Sequence, residues 1–186
     1  MEPPYFALLP SPFGPCSIVW QETEEGPQVQ RVFLPTTRTS AEQRAQAAFA
    51  DARPGSTPII AALAERIRSF LEGEAITFGL ELVAFERCTE FQRSVLIAEH
   101  TIPRGWVSTY GRIARRLGVV GGARAVGSAL AKNPFPIIIP CHRAIRSGGA
   151  LGGYQGGLEM KRALLELEGI EFSEAGKVLM RKVALA

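Results

Sequence analysis

The run Ser108-Thr-Tyr-Gly-Arg-Ile-Ala-Arg-Arg-Leu-Gly-Val-Val-Gly-Gly-Ala-Arg-Ala-Val-Gly-Ser-Ala-Leu-Ala-Lys132 decides how the second half of this chain folds. Ser108 or Thr109 can cap a helix that continues to Leu117, because a hydroxyl at the N-cap accepts an amide proton that a first turn leaves without a partner. Ile113, Ala114 and Leu117 recur at helical spacing and are expected to face inward. Gly118 to Gly122 reads as a turn. Ala123 to Lys132 reads as a second helix built mostly of small residues. Helix, glycine turn and second helix, with Arg124, Ser128 and Lys132 on the latter, is the spacing of a helix–turn–helix. Helical hairpins with no nucleic-acid partner share that spacing, so charge has to arbitrate.

The charge is unevenly divided. Residues 1–86 hold six basic and eleven acidic side chains, and residues 87–186 hold fifteen and seven, giving the chain its net +3. Residues 101–146 carry Arg104, Arg112, Arg115, Arg116, Arg124, Lys132, Arg143 and Arg146 and no acidic residue. A field of one sign over such a stretch points to a polyanion, and with the helix–turn–helix spacing it points to nucleic acid. A hydrophobic content of 46% with 21% charged residues, over 186 residues, excludes disordered and fibrous classes. Runs such as Ile137 to Ile139 are far too short to span a bilayer, which takes about 20 apolar residues. Met1-Glu2-Pro3-Pro4 has no basic region ahead of an apolar core, which argues against a secretory signal. Cys16, Cys88 and Cys141 are too scattered for a disulfide framework or a paired metal site, so a reduced, cytoplasmic protein is expected.

The first third reads as an antiparallel meander: Tyr5 to Leu9, a break at Pro10 to Pro15, Cys16 to Gln21, a turn at Glu22 to Pro27, then Val29 to Leu34. Ala41 to Ala50 is helical by propensity, and Arg53 to Pro58 interrupts it. Ile60, Leu63, Ile67, Phe70 and Leu71 mark a second helix that ends at Gly73. A boundary is expected near 80–88, where the charge changes sign, dividing the chain into domains 1–86 and 87–186. Thr89 can cap a helix with Phe91, Val95, Leu96 and Ile102 on its apolar face, and a last helix runs from about Leu158 to Gly169. The glycine-dense stretch from Gly148 to Gly157 fits neither a phosphate-binding loop nor a dinucleotide fingerprint.

Cys141 stands between the apolar run Ile137-Ile138-Ile139 and His142-Arg143. A thiol attacks as the thiolate, and neighbouring imidazole and cationic groups are expected to raise the thiolate fraction. Cys16 and Cys88 have no nearby histidine and read as small buried hydrophobes. Residues adjacent in sequence do not share a face, so His142 is expected to act on Cys141 through a water or a local bend. Its orienting carboxylate is one of Glu166, Glu168, Glu171 and Glu174, among which spacing does not choose. His100 has no comparable context.

The run Asn133-Pro-Phe-Pro-Ile-Ile-Ile-Pro-Cys-His-Arg-Ala-Ile145 resembles the active-site signature of the O6-alkylguanine-DNA alkyltransferases, the methylated-DNA–protein-cysteine methyltransferases. Ser108-Thr-Tyr-Gly-Arg-Ile-Ala, Gly122-Ala-Arg-Ala-Val-Gly, Gly152-Gly-Tyr-Gln-Gly-Gly-Leu and Lys161-Arg-Ala-Leu-Leu-Glu-Leu-Glu-Gly are similar to further blocks of that family, so the resemblance covers about residues 89–170. It implies an α+β fold, with a variable N-terminal domain of sheet and helices and a mainly helical winged helix–turn–helix domain. It also implies single-turnover repair of O6-alkylguanine in DNA, extending to O4-alkylthymine, with Cys141 as alkyl acceptor. By the same resemblance, His142 takes the thiol proton through a water and Glu168 holds the imidazole. Tyr110 contacts a phosphate and protonates the leaving guanine. Arg124 fills the gap left by the flipped base, and Asn133 braces the turn before the cysteine loop. Tyr154 lines the pocket, with backbone groups near Ala144 and Gln155 reading the base edge. Ala123, Ala125, Gly127 and Ser128 lie against DNA. No cofactor is implied, and the protein is expected to act as a monomer on double-stranded DNA, away from membranes.

Two positions depart from the family's usual residues: Gln155 stands where serine is frequent and Ala144 where valine is frequent. Some members hold zinc in the N-terminal domain. Here Cys16 is the only cysteine and there is no histidine before Cys88, so no such site is expected. A sensor that flips the base without transfer would lack the cysteine. A sequence-specific regulator would have no use for the glycine loop, and a cysteine hydrolase would find the adjacent Cys-His order poor for direct proton transfer.

Overall fold

The structure, a computed structural model, describes residues 3–185. They form two compact units, one of residues up to Arg87 with Pro134–Ile138, the other of Cys88–Asn133 with the residues from Ile139 onward. The short passage Pro134–Ile138, which the charge division places in the second half, therefore belongs with the first. It does so through backbone pairing, since the Val32 amide donates to the Pro134 carbonyl at 2.8 Å. Phe135 also meets Phe85 edge-on at 6.0 Å.

In the first unit β1 (Tyr5–Leu9), β2 (Cys16–Thr23) and β3 (Gly26–Phe33) form the expected antiparallel meander. Gly26 takes φ 106 at the tight β2–β3 connection, a region open to glycine at no steric cost. The sheet order is β3-β2-β1-β4, and β4 (Arg53–Pro54) corrects the reading of that stretch as a mere interruption, because it pairs parallel with Tyr5 and Phe6. Helix α1 (Ala41–Ala48) opens with a capping box between Ser40 and Gln43. Helix α2 (Pro58–Leu71) opens with Thr57 as cap and Pro58 in its first turn. Phe6, Val19, Phe33, Ala41 and Ala45 join sheet and α1 in one buried cluster. Burying each large side chain contributes up to about 1.5–3 kcal/mol.

In the second unit Thr89 Oγ1 accepts from the Gln92 amide at 3.2 Å and starts α3 (Glu90–His100). Val95, Leu96 and Ile102 are buried as expected, whereas Phe91 is an exposed residue of the first turn. Helix α4 (Tyr110–Arg116) is capped by Thr109, and α5 (Ala123–Ala131) follows a turn with Gly118 and Gly121 at positive φ. Ile113 and Ala114 are buried and Leu117 half-buried. The parallel pair β5 (Ser108–Thr109) and β6 (Ala144–Ile145) ties the start of α4 to the residues after Cys141. The chain beyond α6 (Gly157–Leu167) returns to this pair, with Ser108 Oγ donating to the Ala184 carbonyl at 2.9 Å. Val107, Ile145, Leu165, Ile170 and Val178 form the core beneath it.

Candidate active site

Cys141, His142 and Arg143 form one turn of 3-10 helix between the buried Ile139 and β6. Adjacent side chains in such a turn diverge, as they do on a helix. Asn133 Nδ2 donates to the Ile139 carbonyl at 3.1 Å, closing the excursion between α5 and the cysteine turn. Ile137, within that excursion, is a β-branched residue at φ 75, and such a conformation persists only where the surroundings enforce it.

Behind the cysteine lies a buried charge network. His142 Nε2 is 2.9 Å from Glu168 Oε1, and no surface of His142 is exposed. Arg143 Nε donates to Glu168 Oε2 at 2.9 Å, Arg143 Nη2 to Glu168 Oε1 at 2.7 Å, and Nη1 to the Ile102 carbonyl at 2.6 Å. Burial alone would raise the Glu168 carboxyl, but its bonds to His142 and Arg143 outweigh that and bring it down to about 2. Burial lowers His142 despite Glu168, so the ring is neutral, with Nε2–H donated to the carboxylate and Nδ1 left as the basic nitrogen.

Burial pushes the Cys141 thiol up to about 11, against the pull of Asn133 and Lys161. This corrects the expectation that cationic neighbours would favour the thiolate. Arg143 spends its charge on Glu168, and desolvation dominates what remains. The resting group is a thiol, and the thiolate has to be made by proton transfer at the moment of reaction. Tyr110 is likewise pushed up to about 12, first by burial and then by Glu99 and Cys141, so its phenol carries a proton to donate.

In front of the cysteine is a pocket of about 390 Å³, within the range of small-ligand clefts. Tyr110, Ala123, Arg124, Gly127, Tyr154 and Gln155 line it together with Cys141. Ala125 and Ser128 sit on the exposed face of α5 outside the pocket, while Ala129 is buried, so small size there serves helix packing. Ala144 is buried behind the pocket and its carbonyl accepts from Lys161. Gly152 takes φ 71, and a Cβ there would lie 2.5 Å from Tyr110 Oη. Only glycine lets the loop come this close to the phenol.

Two further buried residues were not singled out individually by the sequence. Lys161 has no exposed surface, and its Nζ donates to the carbonyls of Ala144 and Leu151 at 2.7 Å and of Gly153 at 3.4 Å. It thereby ties the cysteine segment to the glycine loop. Glu99, also fully buried, stands in the last turn of α3. Its distance in sequence from Cys141 and Lys161 hid the association, and a charged residue at an apolar-face position of a helix was the available clue.

Fold and site define an α+β protein with a buried, histidine-backed cysteine at the wall of a pocket formed by two helices and a glycine loop. The family model "6-O-methylguanine DNA methyltransferase, DNA binding domain" matches residues 90–170. A methylated-DNA–protein-cysteine methyltransferase of Methanosarcina acetivorans is 36% identical over 89% of this chain and 98% of its own length. One from Methanothermobacter thermautotrophicus is 50% identical over 58% of this chain, a match that spans 60% of that relative. Among solved structures, Mycobacterium tuberculosis OGT in complex with DNA matches with TM-score 0.70 at 35% identity, covering 88% of this chain and 92% of that one. The chain belongs to the methylated-DNA–protein-cysteine methyltransferase family.

Proposed function

We propose that this protein repairs DNA by direct reversal, moving the alkyl group of O6-alkylguanine, and by extension O4-alkylthymine, onto Cys141 in one irreversible turnover. The observation that carries the reading is the placement of Cys141 at the wall of a nucleobase-sized pocket with the His142–Glu168 pair behind it and Tyr110 and Arg124 in front. The family's members carry the activity in their name, and the Mycobacterium tuberculosis relative has been solved with DNA.

A base inside a duplex is out of reach, so the target is extruded at a cost of a few kcal/mol. Arg124, exposed at the start of α5, fills the vacated stack, while the exposed cations Arg115, Arg116, Lys132 and Arg146 hold phosphates independently of sequence. The α4–turn–α5 pair serves as the helix–turn–helix, with Ala123, Ala125, Gly127 and Ser128 against the duplex. Tyr154 and backbone groups near Gln155 and Ala144 hold the base edge, and Asn133 keeps the cysteine turn in register.

The thiol proton passes through a water to His142 Nδ1, while Glu168 stabilises the imidazolium that results. The thiolate attacks the alkyl carbon, a C–S bond forms and the C–O bond breaks, and its electron pair goes to guanine. Tyr110 returns a proton to the departing base. The thioether has no good leaving group, so each molecule reacts once.

Cys141→Ala is expected to abolish transfer while binding to alkylated duplex persists. Undiminished transfer in that variant would refute the assignment.

A further inference from the structure

We propose that Glu99 competes with the Cys141 thiolate for the positive charge of Lys161, so that the cysteine ionises more readily while Glu99 holds a proton. The inference rests on the alkyl-transfer reading and adds to it a residue outside the pocket that governs the reactivity of the thiol.

Both Glu99 carboxylate oxygens are buried and meet no donor in hydrogen-bond geometry among the described residues. The Ala144 amide lies only near enough to favour the charged form. A carboxylate without donors in a dry interior is costly, and holding a proton relieves the cost. Burial accordingly pushes Glu99 up to about 8, against Lys161, Arg143 and Ala144.

Helix α3 packs on α4, on α5 and on the cysteine turn. The ionisable groups around Glu99 are Tyr110 of α4, Cys141, His142 and Arg143 of the turn, and Lys161 of α6, while α5 buries only Val126, Ala129 and Leu130. His142 and Arg143 are both committed to Glu168. Lys161 is different. It holds three carbonyl oxygens, and among the described residues no carboxylate lies within ion-pair distance of it.

Carbonyl dipoles solvate that ammonium group without cancelling its charge, and burial lowers it to about 8. Cys141 and Glu99 are the two acids whose negative charge pulls Lys161 back up. Each anion satisfies the same cation, and each disfavours the other, since ionised Glu99 raises Cys141. One cation and two acids therefore titrate as a linked set. While Glu99 is protonated, Lys161 offsets the charge left on sulfur when the thiol proton moves to His142. Once Glu99 ionises, a thiolate would be a second negative charge in the same dry cluster. Glu99 does not line the pocket and acts through Cys141 and Lys161, as a positioning residue.

The test is the pH dependence of alkyl transfer from free O6-benzylguanine in the full chain and in Glu99→Gln. A single charge nearby in a medium of effective dielectric about 20 changes an ionisation by about tenfold. The ratio of the variant's rate to the unaltered rate is expected to rise about tenfold from well below to well above pH 8. Glu99→Leu is expected to shift the same way. A ratio constant across pH, whatever its value, would overturn the proposal, because a purely structural role lowers the rate without moving the profile. If neither variant folds, the unaltered protein decides: the linked titration of Glu99 and Lys161 must bend its alkaline limb below the thiol near 11, and a single rise towards 11 overturns the inference. No transfer by the unaltered protein at any pH would overturn the alkyl-transfer reading as well, whereas transfer with a flat ratio overturns this proposal alone.

Discussion

Replacing Glu168 with glutamine removes one negative charge from a site with 1% of its side chain exposed and leaves Arg143 buried without a counter-ion. The magnitude follows from two routes. The carboxyl stands at about 2 in the folded chain against an ordinary 4.5, and about 1.4 kcal/mol per unit gives a contribution of about 3 kcal/mol. Breaking a buried ion pair from one side costs about 3–5 kcal/mol, which agrees. For a chain of this length that lowers Tm by about 6–12 °C. The sign with pH is fixed by the direction of the shift. A depressed carboxyl stabilises fully above its unfolded value near 4.5, and the contribution fades as pH falls towards 2. Calorimetry at neutral pH and along an acid series should show the loss in Glu168→Gln, together with a shallower acid limb than the unaltered protein. Alkyl transfer should fall by about a hundredfold or more, because His142 loses the negative charge that stabilises its imidazolium. A variant that melts within about one degree of the unaltered protein, or transfers at its rate, would refute the reasoning.

Three further outcomes are expected. Lys161→Met leaves the carbonyls of Ala144, Leu151 and Gly153 without their donor, which should cost about 1–3 kcal/mol by thermal unfolding and weaken saturation with O6-benzylguanine. Gly152→Ala forces a Cβ against Tyr110 Oη at φ 71 and should slow single-turnover transfer by about tenfold or more, with a backbone cost of about 1–3 kcal/mol. Arg124→Ala should slow repair of duplex DNA more than transfer from free O6-benzylguanine, and equal losses on both substrates would contradict the wedge role.

What was legible in the sequence was mostly local. Thr89 and Thr109 cap helices because a hydroxyl competes for nearby amides, and Gly118 and Gly121 turn the chain at positive φ. The meander followed from alternating strands and breakers. Local rules failed where partners are distant. Arg53–Pro54 is a strand only because Tyr5 and Phe6 offer an edge, and Phe91 is exposed because the face of α3 is chosen by what packs on it. The ionisation of Cys141 failed for a related reason. Sequence shows which charges are neighbours, but not that Arg143 is spent on Glu168 or that the thiol is almost wholly buried. Lys161 lies 17 residues from the Ala144 carbonyl it holds and Glu99 lies on another helix, so their shared charge network exists only in three dimensions.

The most direct measurement is the intact mass of the protein after incubation with an oligonucleotide carrying one O6-methylguanine, followed by peptide mapping. A single addition of about 14 Da on Cys141, with unmodified guanine left in the DNA, is the result the account predicts. An unchanged mass alongside tight, lesion-selective binding would contradict it and leave Cys141 as no more than part of the pocket wall.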